Sequence, residues 1–583
     1  MDDNYPSWNL KEFYDSHKSN QLYEDIDSIN KKATNFKKKY KNNLKNLEAE
    51  LIIQSIKEFE KLEEEIGRIK SYVYLKYCTN QLDSEIVAFY QKINEKLTCV
   101  DSHIIFFCLE LNLLNEKAIN KVKNSKYHVW LKNLRKFRKF QKNEEIEKIL
   151  LDKNLTSSNS WIRLFDQTIA GIKFKFKNKY LGESEVLNLM SSPNSETRKL
   201  AAQSFSQGLK SNINVFSIIT NTLSKDLDID NKIRGFTHSE SFRHLNNQVD
   251  KKEVDCLTET IIENYGNLSH KYYKYKAKKF KVSKLNFWDR NAPYPGHKDI
   301  KINWPKAKQL VLQAYARFDS RIANIAEEFF QKSWIDAKVT KGKTSGAFSH
   351  PTVPSCHPFI LVNFQNKLRD VMTLAHELGH GVHQYLAGKQ GYLLSDTPLT
   401  IAETASVFGE MLTFKSILRN CKTEAEKKII LTSKIEDMLN TVVRQISFFS
   451  FERLLHNKRM AGELTVEKIN EIWMETQTTS LGPSIKLSSD YNYFWAYIPH
   501  FIHSPFYVYA YAFGDCLVNS LYAKYEEGYE DFNNKYIDLL KSGGSKDYKD
   551  LLKDFNLNPE KKKFWQNGLN IIKNMIDELE QLD

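Results

Sequence analysis

The chain has 583 residues, of which 41% are hydrophobic and 27% are charged, and its formal net charge is +13. This length is ample for one or more buried cores. The opening residues lack the basic patch and apolar run of a signal peptide, and no run of about 18 apolar residues occurs, so we expect a soluble, cytoplasmic protein without a membrane partner. The seven cysteines form no C-x-x-C pair, which is typical of reduced cysteines.

The positive charge comes mainly from lysines that are spread along the chain. The densest basic runs lie at 35–42 and 134–142, with an acidic stretch at 58–65 between them. Mixed charge of this kind is typical of solvated helix faces, so we predict no nucleic-acid partner. A basic helical protein that binds an acidic partner remains the alternative, and it predicts binding that weakens steeply with salt and does not depend on chelators.

Residues 7–192 contain no proline, which favours helices in the first third of the chain. Apolar residues recur there at steps of three and four, as expected for a long amphipathic helix in a helical bundle. The stripe consists of Leu44, Leu47, Leu51, Phe59, Leu62, Ile66, Ile69 and Val73, with Ser55 in the one missing place. Breaks near 115 and 190 divide the chain into three predicted regions, 1–115, 116–190 and 191–583.

Prolines and glycines concentrate between 291 and 358 and predict loops. The apolar segment PFILVNF (358–364) predicts a short strand before a helix that contains TLAHELGHGVHQYL (373–386). His376 and His380 are four apart on that helix, so both rings can reach one atom. With Glu377 they form the H-E-x-x-H arrangement, in which two imidazoles bind zinc and the glutamate activates a water.

A catalytic zinc normally takes three protein ligands. The downstream candidates are His383, Asp396, Glu403 and Glu410. His383 lies a further turn along the same helix, and three ligands from one straight helix would span about 10 Å. We therefore interpret His383 as a residue behind the ligands or in the core.

The segment 396–414 predicts a second helix, with Thr397 as its cap and Pro398 as its first residue. Glu403 and Glu410 lie two turns apart on one face of this helix, among apolar neighbours. Two buried carboxylates need partners, and a metal ion with its histidines would supply them. We predict Glu403 as the third ligand and Glu410 as the acceptor that orients a ligand histidine, although the sequence alone hardly separates these two roles.

The blocks HELGHGVHQYLAG and SDTPLTIAETASVFGEML resemble the thimet-oligopeptidase-like zinc peptidases, and most closely their oligoendopeptidase F branch. WNLKEFYDS, FWDRNAPYP, GKTSGAFSHPTVPSCHPFILVNF and YIPHFIHSPFYVYAYAFGD resemble segments of the same branch in the same order. The resemblance is strongest from about 285 to 515. It identifies 116–190 with the helical region of this branch and 191–583 with the catalytic region.

The resemblance implies a mainly α, two-lobed fold of the zincin type, with a deep central channel and a small β element beside the active-site helix. It implies one zinc ion per chain, held by His376, His380 and Glu403, with Glu377 as general base. Folded proteins would be excluded from the channel, so short unstructured peptides are the expected substrates.

The block 497–515 falls on the family segment that supplies a histidine and tyrosines to the substrate. His500 matches that histidine. Tyr507 and Tyr509 are both candidates for the tyrosine, because the loop is shorter in this branch, and His503 is an additional candidate near the site.

The turn Gly346, Ala347 and Phe348 and the strand after it could present free backbone groups to an extended peptide. We therefore expect these three residues to bind substrate with little regard for its sequence. A glutamate-zinc carboxypeptidase shares the same metal chemistry, so this alternative stays open until products are analysed. The sequence gives no prediction of oligomeric state.

Overall fold

The computed structural model describes residues 5–296 and 300–582. Helices make up most of this chain, and the prediction of a mainly α protein is confirmed. The α-helices are, in chain order, α1 (Asn20–Tyr40), α2 (Ala49–Thr79), α3 (Ser84–Leu113), α4 (Glu116–Lys121), α5 (His128–Lys136), α6 (Glu144–Asn154), α7 (Ser158–Gly171), α8 (Glu183–Leu189), α9 (Ser195–Ser211), α10 (Ile213–Arg234), α11 (Ser241–Asn246), α12 (Lys251–Glu263), α13 (Ser269–Lys279), α14 (Trp304–Phe318), α15 (Ser320–Gln331), α16 (Leu368–Ala387), α17 (Tyr392–Ser395), α18 (Leu399–Arg419), α19 (Glu424–Leu439), α20 (Gln445–Ala461), α21 (Val466–Leu481), α22 (His500–His503), α23 (Tyr509–Glu526), α24 (Phe532–Ser542), α25 (Tyr548–Lys553) and α26 (Lys562–Gln581).

The strands are short. They are β1 (Phe174–Phe176), β2 (Lys179–Leu181), β3 (Leu285–Asn286), β4 (Ile335–Asp336), β5 (Phe348–His350), β6 (Phe359–Leu361) and β7 (Ile485–Lys486). β1 pairs with β2 and β3 with β7, and the third sheet has the order β4-β6-β5. β6 precedes α16 directly, so the predicted strand is confirmed in place, although it is shorter than 358–364. The β element beside the active-site helix is confirmed as well.

The described residues form two compact units, and each unit combines distant segments of the chain. Unit 1 contains residues up to 138, 300–420 and 524–557, and unit 2 contains 139–296, 421–523 and the residues from 558 onwards. The predicted sequence regions 1–115, 116–190 and 191–583 remain predictions about the sequence.

The long amphipathic helix predicted in the first third of the chain is α2. Its core-facing stripe is confirmed from Ser55 onwards, but the prediction for Leu51 is wrong, because that side chain is 53% exposed. The helix begins only at Ala49, so the prediction is also wrong in placing Leu44 and Leu47 on it; Leu44 is buried on a separate 3-10 turn and Leu47 follows that turn. Ile52 keeps the three- and four-residue steps of the stripe and takes the buried place instead.

Aromatic packing forms much of the core of unit 2. Trp473 of α21 lies against Phe448 and Phe451 of α20, with ring centroids 5.5 and 5.4 Å away. Its indole N–H donates to the backbone carbonyl of Tyr491 at 3.0 Å, which fixes the 3-10 helix Ser489–Tyr497 on this core. The end of that helix leads directly into His500.

All seven cysteines are free. Of the helices that the structure describes, none combines the length and apolar character needed to cross a membrane.

Candidate metal centre and active site

Helix α16 carries the H-E-x-x-H residues. The Asp370 carboxylate accepts the backbone N–H groups of Gln365 and Lys367, at 2.7 and 2.9 Å, and so caps the first turn. One face of the helix is buried, while His376 and His380 lie on the partly exposed face with their ring centroids 4.9 Å apart. Four-residue spacing on a regular helix therefore brings the two rings together, as the sequence predicted.

Helix α18 packs on α16 at unusually short range. A Cβ atom on Gly379 would lie only 2.4 Å from the backbone oxygen of Ala405, so glycine is required for this contact. On α18 itself, Pro398 occupies the cap and Leu399 is the first helical residue, so the prediction of a Thr397 cap is wrong by one residue. Pro398 has ψ of 141°, an extended value that leaves it outside the helix.

The close packing of α16 and α18 brings Glu403 to the two histidines. Its Oε2 atom lies 3.3 Å from Nε2 of His376 and 3.5 Å from Nε2 of His380. One donor atom from each of these three side chains lies within 4.8 Å of the others. The two imidazoles and the carboxylate thus point at a common volume.

The outer sides of both rings are also held. Nδ1 of His376 lies 3.3 Å from Oε2 of Glu410, two turns after Glu403 on α18. His380 forms a hydrogen bond with the backbone of Ala402. Partners of this kind fix the ring orientation and leave Nε2 of each histidine directed at the shared volume.

The electrostatics of this group favour a cation. Burial alone would lower the pKa of His376, but its hydrogen bond with Glu410 and the charges of Glu403 and Glu410 raise it to about 9. Burial would raise the pKa of Glu403, yet the two histidines lower it. A positive charge is therefore stabilised among these side chains. Two histidines and one glutamate form a common donor set of catalytic zinc, so the residues present fit this ion.

Glu377 lies between the two histidines in sequence and is 8% exposed. Burial raises its pKa to about 7, against the opposing charge of His376. Its carboxylate also forms a hydrogen bond with the backbone of Ser349 in β5. Gln384, also on α16, donates from Nε2 to the carbonyl of the same Ser349 at 3.2 Å. The candidate base is thereby tied to the edge strand of the sheet.

The register of the sheet explains why Ser349 can reach α16. Ile360 and Val362 of the β6 segment donate to the backbone carbonyls of Trp334 and Asp336, at 2.9 Å each, so these residues face β4. Ser349 pairs opposite Ile360 in the antiparallel ladder. Its N–H and C=O groups therefore point away from β6, to the outer edge of β5.

Unit 2 holds a second group of candidate residues, which we call the His500 cluster: His500, Tyr507 and Tyr511. Nε2 of His500 lies 3.1 Å from the Tyr511 hydroxyl. The Tyr507 ring lies parallel to the His500 ring, with centroids 6.2 Å apart, and meets the Tyr511 ring edge-on at 5.2 Å. Burial lowers the pKa of His500, and the charges of His503 and Arg444 act in the same direction.

Two side chains hold the loop that carries Tyr507. Phe506 is buried with φ of +60°, a left-handed conformation that is rare for a bulky residue. Its N–H donates to Glu452 at 2.7 Å. Arg243 donates from Nε to the Pro505 carbonyl at 3.1 Å, and its guanidinium lies 5.6 Å from the centre of the Tyr507 ring. Together these contacts hold the strained turn in place beside the His500 cluster.

Residues 188–571, about two thirds of the chain, match the family described as Peptidase family M3, and residues 110–174 match the family described as Oligopeptidase F. The chain belongs to peptidase family M3. It is a metalloendopeptidase, and the resemblance to oligoendopeptidase F is confirmed.

Individual relatives agree with this family. Oligopeptidase PepF of Bacillus subtilis is 26% identical, over 99% of this chain and 87% of its own. An oligoendopeptidase F homolog of Borreliella burgdorferi is 28% identical, over 96% of both chains. The crystal structure of a putative peptidase from Chlamydophila abortus superposes with a TM-score of 0.86 at 23% identity, covering 99% of this chain and 98% of that one, which shows the shared fold.

In this M3 peptidase, His383 and Asp396 lie outside the group of converging donor atoms. His383 is 3% exposed, and burial lowers its pKa to about 4. It shares a hydrogen bond with the backbone of Ala402, which also contacts His380. The position suits a neutral core histidine directly behind the candidate ligands.

The structure separates the two tyrosine candidates. Tyr509 is fully buried, and its hydroxyl bonds to Nδ1 of His244 at 3.0 Å and accepts from Nδ2 of Asn247 at 2.9 Å. Tyr507 instead belongs to the His500 cluster. His503 is exposed and lies 2.8 Å from a carboxylate oxygen of Asp166.

Sequence reasoning missed Tyr511 and Glu452. Tyr511 follows Tyr507 by four residues, a spacing that a helical interpretation of YVYAY would have placed on one face. Tyr509 is excluded from that face by the same spacing. Glu452 gives no comparable signal, because its contact with Phe506 joins residues 54 apart in the chain.

Proposed function

We propose that this metalloendopeptidase depends on zinc and hydrolyses internal bonds of short, unstructured oligopeptides. The observation that carries the proposal is the convergence of His376, His380 and Glu403, with Glu377 on the same turn of α16. Oligopeptides are proposed as substrates because relatives that match nearly the whole chain are named oligopeptidases and oligoendopeptidases.

His376, His380 and Glu403 would hold the ion, and Glu410 would keep the His376 ring in place. When bound, zinc supplies Lewis acidity, which polarises the scissile carbonyl and lowers the pKa of a water towards about 7. The remaining steps depend on protein groups that move protons and orient the peptide.

Glu377 is assigned as the general base and acid. It takes the proton from the attacking water and returns it to the leaving amine, so no covalent link forms between enzyme and substrate. A carboxyl group whose pKa lies near 7 can do both at neutral pH, and burial gives Glu377 such a value. Its hydrogen bond with the Ser349 backbone holds the carboxylate at one place on the strand edge.

The segment Gly346, Ala347 and Phe348 is assigned to peptide binding, and the register of the sheet supports one of these residues over the others. The outward groups of Ser349 already bond to side chains of α16. The Gly346 carbonyl accepts from Nδ2 of Asn363 at 2.9 Å. Ala347 directly precedes β5, and if the alternation of the strand is continued to it, its backbone faces the same outer edge as Ser349. We therefore propose Ala347 as the position for pairing with an extended peptide.

His500 is assigned to stabilise the oxyanion of the tetrahedral intermediate, together with a tyrosine hydroxyl. Burial keeps His500 neutral near pH 7, so it acts as a hydrogen-bond donor rather than as a cation. Tyr511 and Tyr507 both lie beside it, whereas the Tyr509 hydroxyl already bonds to His244 and Asn247.

The test is cleavage of a pool of short peptides, each supplied free and with both termini blocked, alongside one folded protein. Products are identified by mass spectrometry before and after chelation and zinc restoration. We expect internal cuts in blocked and free peptides, no cuts in the folded protein, and loss of activity on chelation. Glu377→Gln should lower kcat by about 10²- to 10⁴-fold and retain zinc. Glu95→Gln, at an exposed glutamate of α3, is the matched control.

Two results would count against the proposal. Cleavage confined to peptides with a free carboxyl terminus would indicate a carboxypeptidase. Undiminished turnover by Glu377→Gln would remove this residue from the mechanism while leaving the metal ligands in place.

A further inference from the structure

A cluster of four cations in unit 2, two of them buried and two half-buried, is not fully neutralised. Arg198 forms an ion pair with Asp289 at 2.7 Å. Lys276 forms an ion pair with Glu436 and also donates to the Arg290 carbonyl at 2.7 Å. The positive charges of Arg198 and Arg290 both act on Lys276, so these groups belong to one electrostatic neighbourhood. The two available carboxylates are therefore already paired.

The remaining cations are Arg290 and Arg444. In residues 5–296 and 300–582, neither guanidinium has a carboxylate within ion-pair distance. Arg290 bonds to Tyr491 and, at 3.4 Å, to Asn291. Arg444 donates from Nη2 to the Tyr497 hydroxyl at 3.1 Å, and its Nε atom is buried without a partner.

Neutral phenols do not compensate two cations. Burial raises the pKa of Tyr491 even though Arg290 and Arg444 lower it, so this hydroxyl is not ionised at neutral pH. An arginine side chain remains charged at any physiological pH. Both side chains are half-buried, so each guanidinium loses part of its hydration without a carboxylate to replace it, and a negative charge would offset that loss.

Both arginines line one small cavity. Its lining also includes Tyr273, Asn440 and Gln477, and its volume is about 10 Å³, roughly the space of one water molecule or one small ion. The α19–α20 junction is a π-helical turn, Asn440–Arg444, whose first and last residues both line the cavity. Such turns occur frequently at functional sites.

We propose that Arg290 and Arg444 form a binding site for a small inorganic anion such as chloride. The ion supplies the missing negative charge, and its size matches a cavity that is too small for a peptide carboxylate. The site adjoins the catalytic segment, because the Tyr497 hydroxyl that Arg444 contacts lies three residues before His500. Binding of the ion itself does not depend on the proposed oligopeptidase activity.

The first test is the thermal unfolding midpoint of the full chain at constant ionic strength, as sodium gluconate is replaced by sodium chloride or bromide. Gluconate is too large for the cavity. We expect a saturable rise of about 1–3 °C in the halides. Arg290→Gln and Arg444→Gln should each lose this rise, whereas Arg163→Gln, at an exposed arginine of α7, should keep it.

Equal midpoints in gluconate and chloride would overturn the proposal, as would a full chloride effect in Arg444→Gln. A rise in acetate without one in chloride would assign the pocket to carboxylates and overturn it as well. Should the variants fail to fold, crystals of the unaltered protein soaked in bromide decide the point. An anomalous peak beside both guanidinium groups supports the site, and its absence there overturns it. A peak without the solution effect is binding at crystal concentration only and also overturns it.

Discussion

His376, His380 and Glu403 lie on two long helices of unit 1, whereas His500, Tyr507 and Tyr511 lie on a short helix, a turn and the start of α23 in unit 2. The positions of the three proposed metal ligands are fixed by helix spacing and by the glycine contact between α16 and α18. The Tyr507 part of the His500 cluster is held by the hydrogen bonds of Glu452 and Arg243 with the strained turn before it. We therefore expect substitutions of His376, His380 and Glu403 to act on metal binding, and substitutions in the His500 cluster to act on catalysis with the metal retained.

Glu403→Ala gives the largest expected effect, because it removes one of the three side chains that we propose as ligands of the zinc ion. We expect loss of bound zinc and of measurable turnover. Glu410→Ala removes the partner of Nδ1 on His376 and should weaken zinc binding by about 10- to 100-fold. Zinc content after dialysis against a chelator series distinguishes the two variants. Full metal occupancy in Glu403→Ala would place the third ligand elsewhere.

His500→Ala tests the other region. Removing one oxyanion donor typically costs about 10²-fold in kcat. We expect a loss of this size with zinc content unchanged, measured by steady-state hydrolysis of a peptide that the unaltered enzyme cleaves. A change smaller than about tenfold would exclude His500 from the oxyanion role.

The tyrosines give a smaller, graded effect. Tyr507→Phe and Tyr511→Phe remove hydroxyls of the His500 cluster, and we expect one of them to lower kcat by about 10- to 100-fold. Tyr509→Phe is the matched control, since it should retain kcat but lose about 1–3 kcal/mol of stability by leaving His244 and Asn247 unsatisfied. Kinetics and urea unfolding of the three variants separate these roles. A kcat loss confined to Tyr509→Phe would contradict the assignment.

This difference between the two regions also explains which parts of the fold and of the candidate site could be predicted from the sequence. The strand before α16, the two histidines and the Glu403–Glu410 face all follow from local periodicity, and the structure has each of them in place. Leu51 was predicted on the buried stripe because the apolar residues 51 and 52 both fit steps of three or four before Ser55. In the structure α2 begins at Ala49, Ile52 is buried and Leu51 is exposed.

Long-range contacts explain the remainder. The Glu452–Phe506 and Arg243–Pro505 hydrogen bonds join residues 54 and 262 apart, and no local pattern encodes them. The division into two units is hidden for the same reason, because each unit combines segments from distant parts of the chain.

Glu452 is expected to have the smallest effect on activity, and its pH dependence distinguishes it from an ordinary core residue. Glu452→Leu deprives the Phe506 N–H of its acceptor, which should cost about 1–3 kcal/mol of stability and lower kcat less than His500→Ala does. Glu452→Gln keeps an acceptor oxygen and should restore most of both.

Burial raises the pKa of Glu452 from 4.5 to about 8. Between these two values the folded protein binds a proton that the unfolded chain has released, so this residue's contribution to stability is complete below about pH 4.5 and declines as the pH rises towards 8. Glu452→Gln cannot ionise and should lack that decline, so its stability relative to the unaltered protein should increase from pH 5 to pH 9. Urea unfolding midpoints across this range measure the difference. Parallel curves for the two proteins would mean that Glu452 is charged in the folded state and that its support of the Tyr507 turn is ionic.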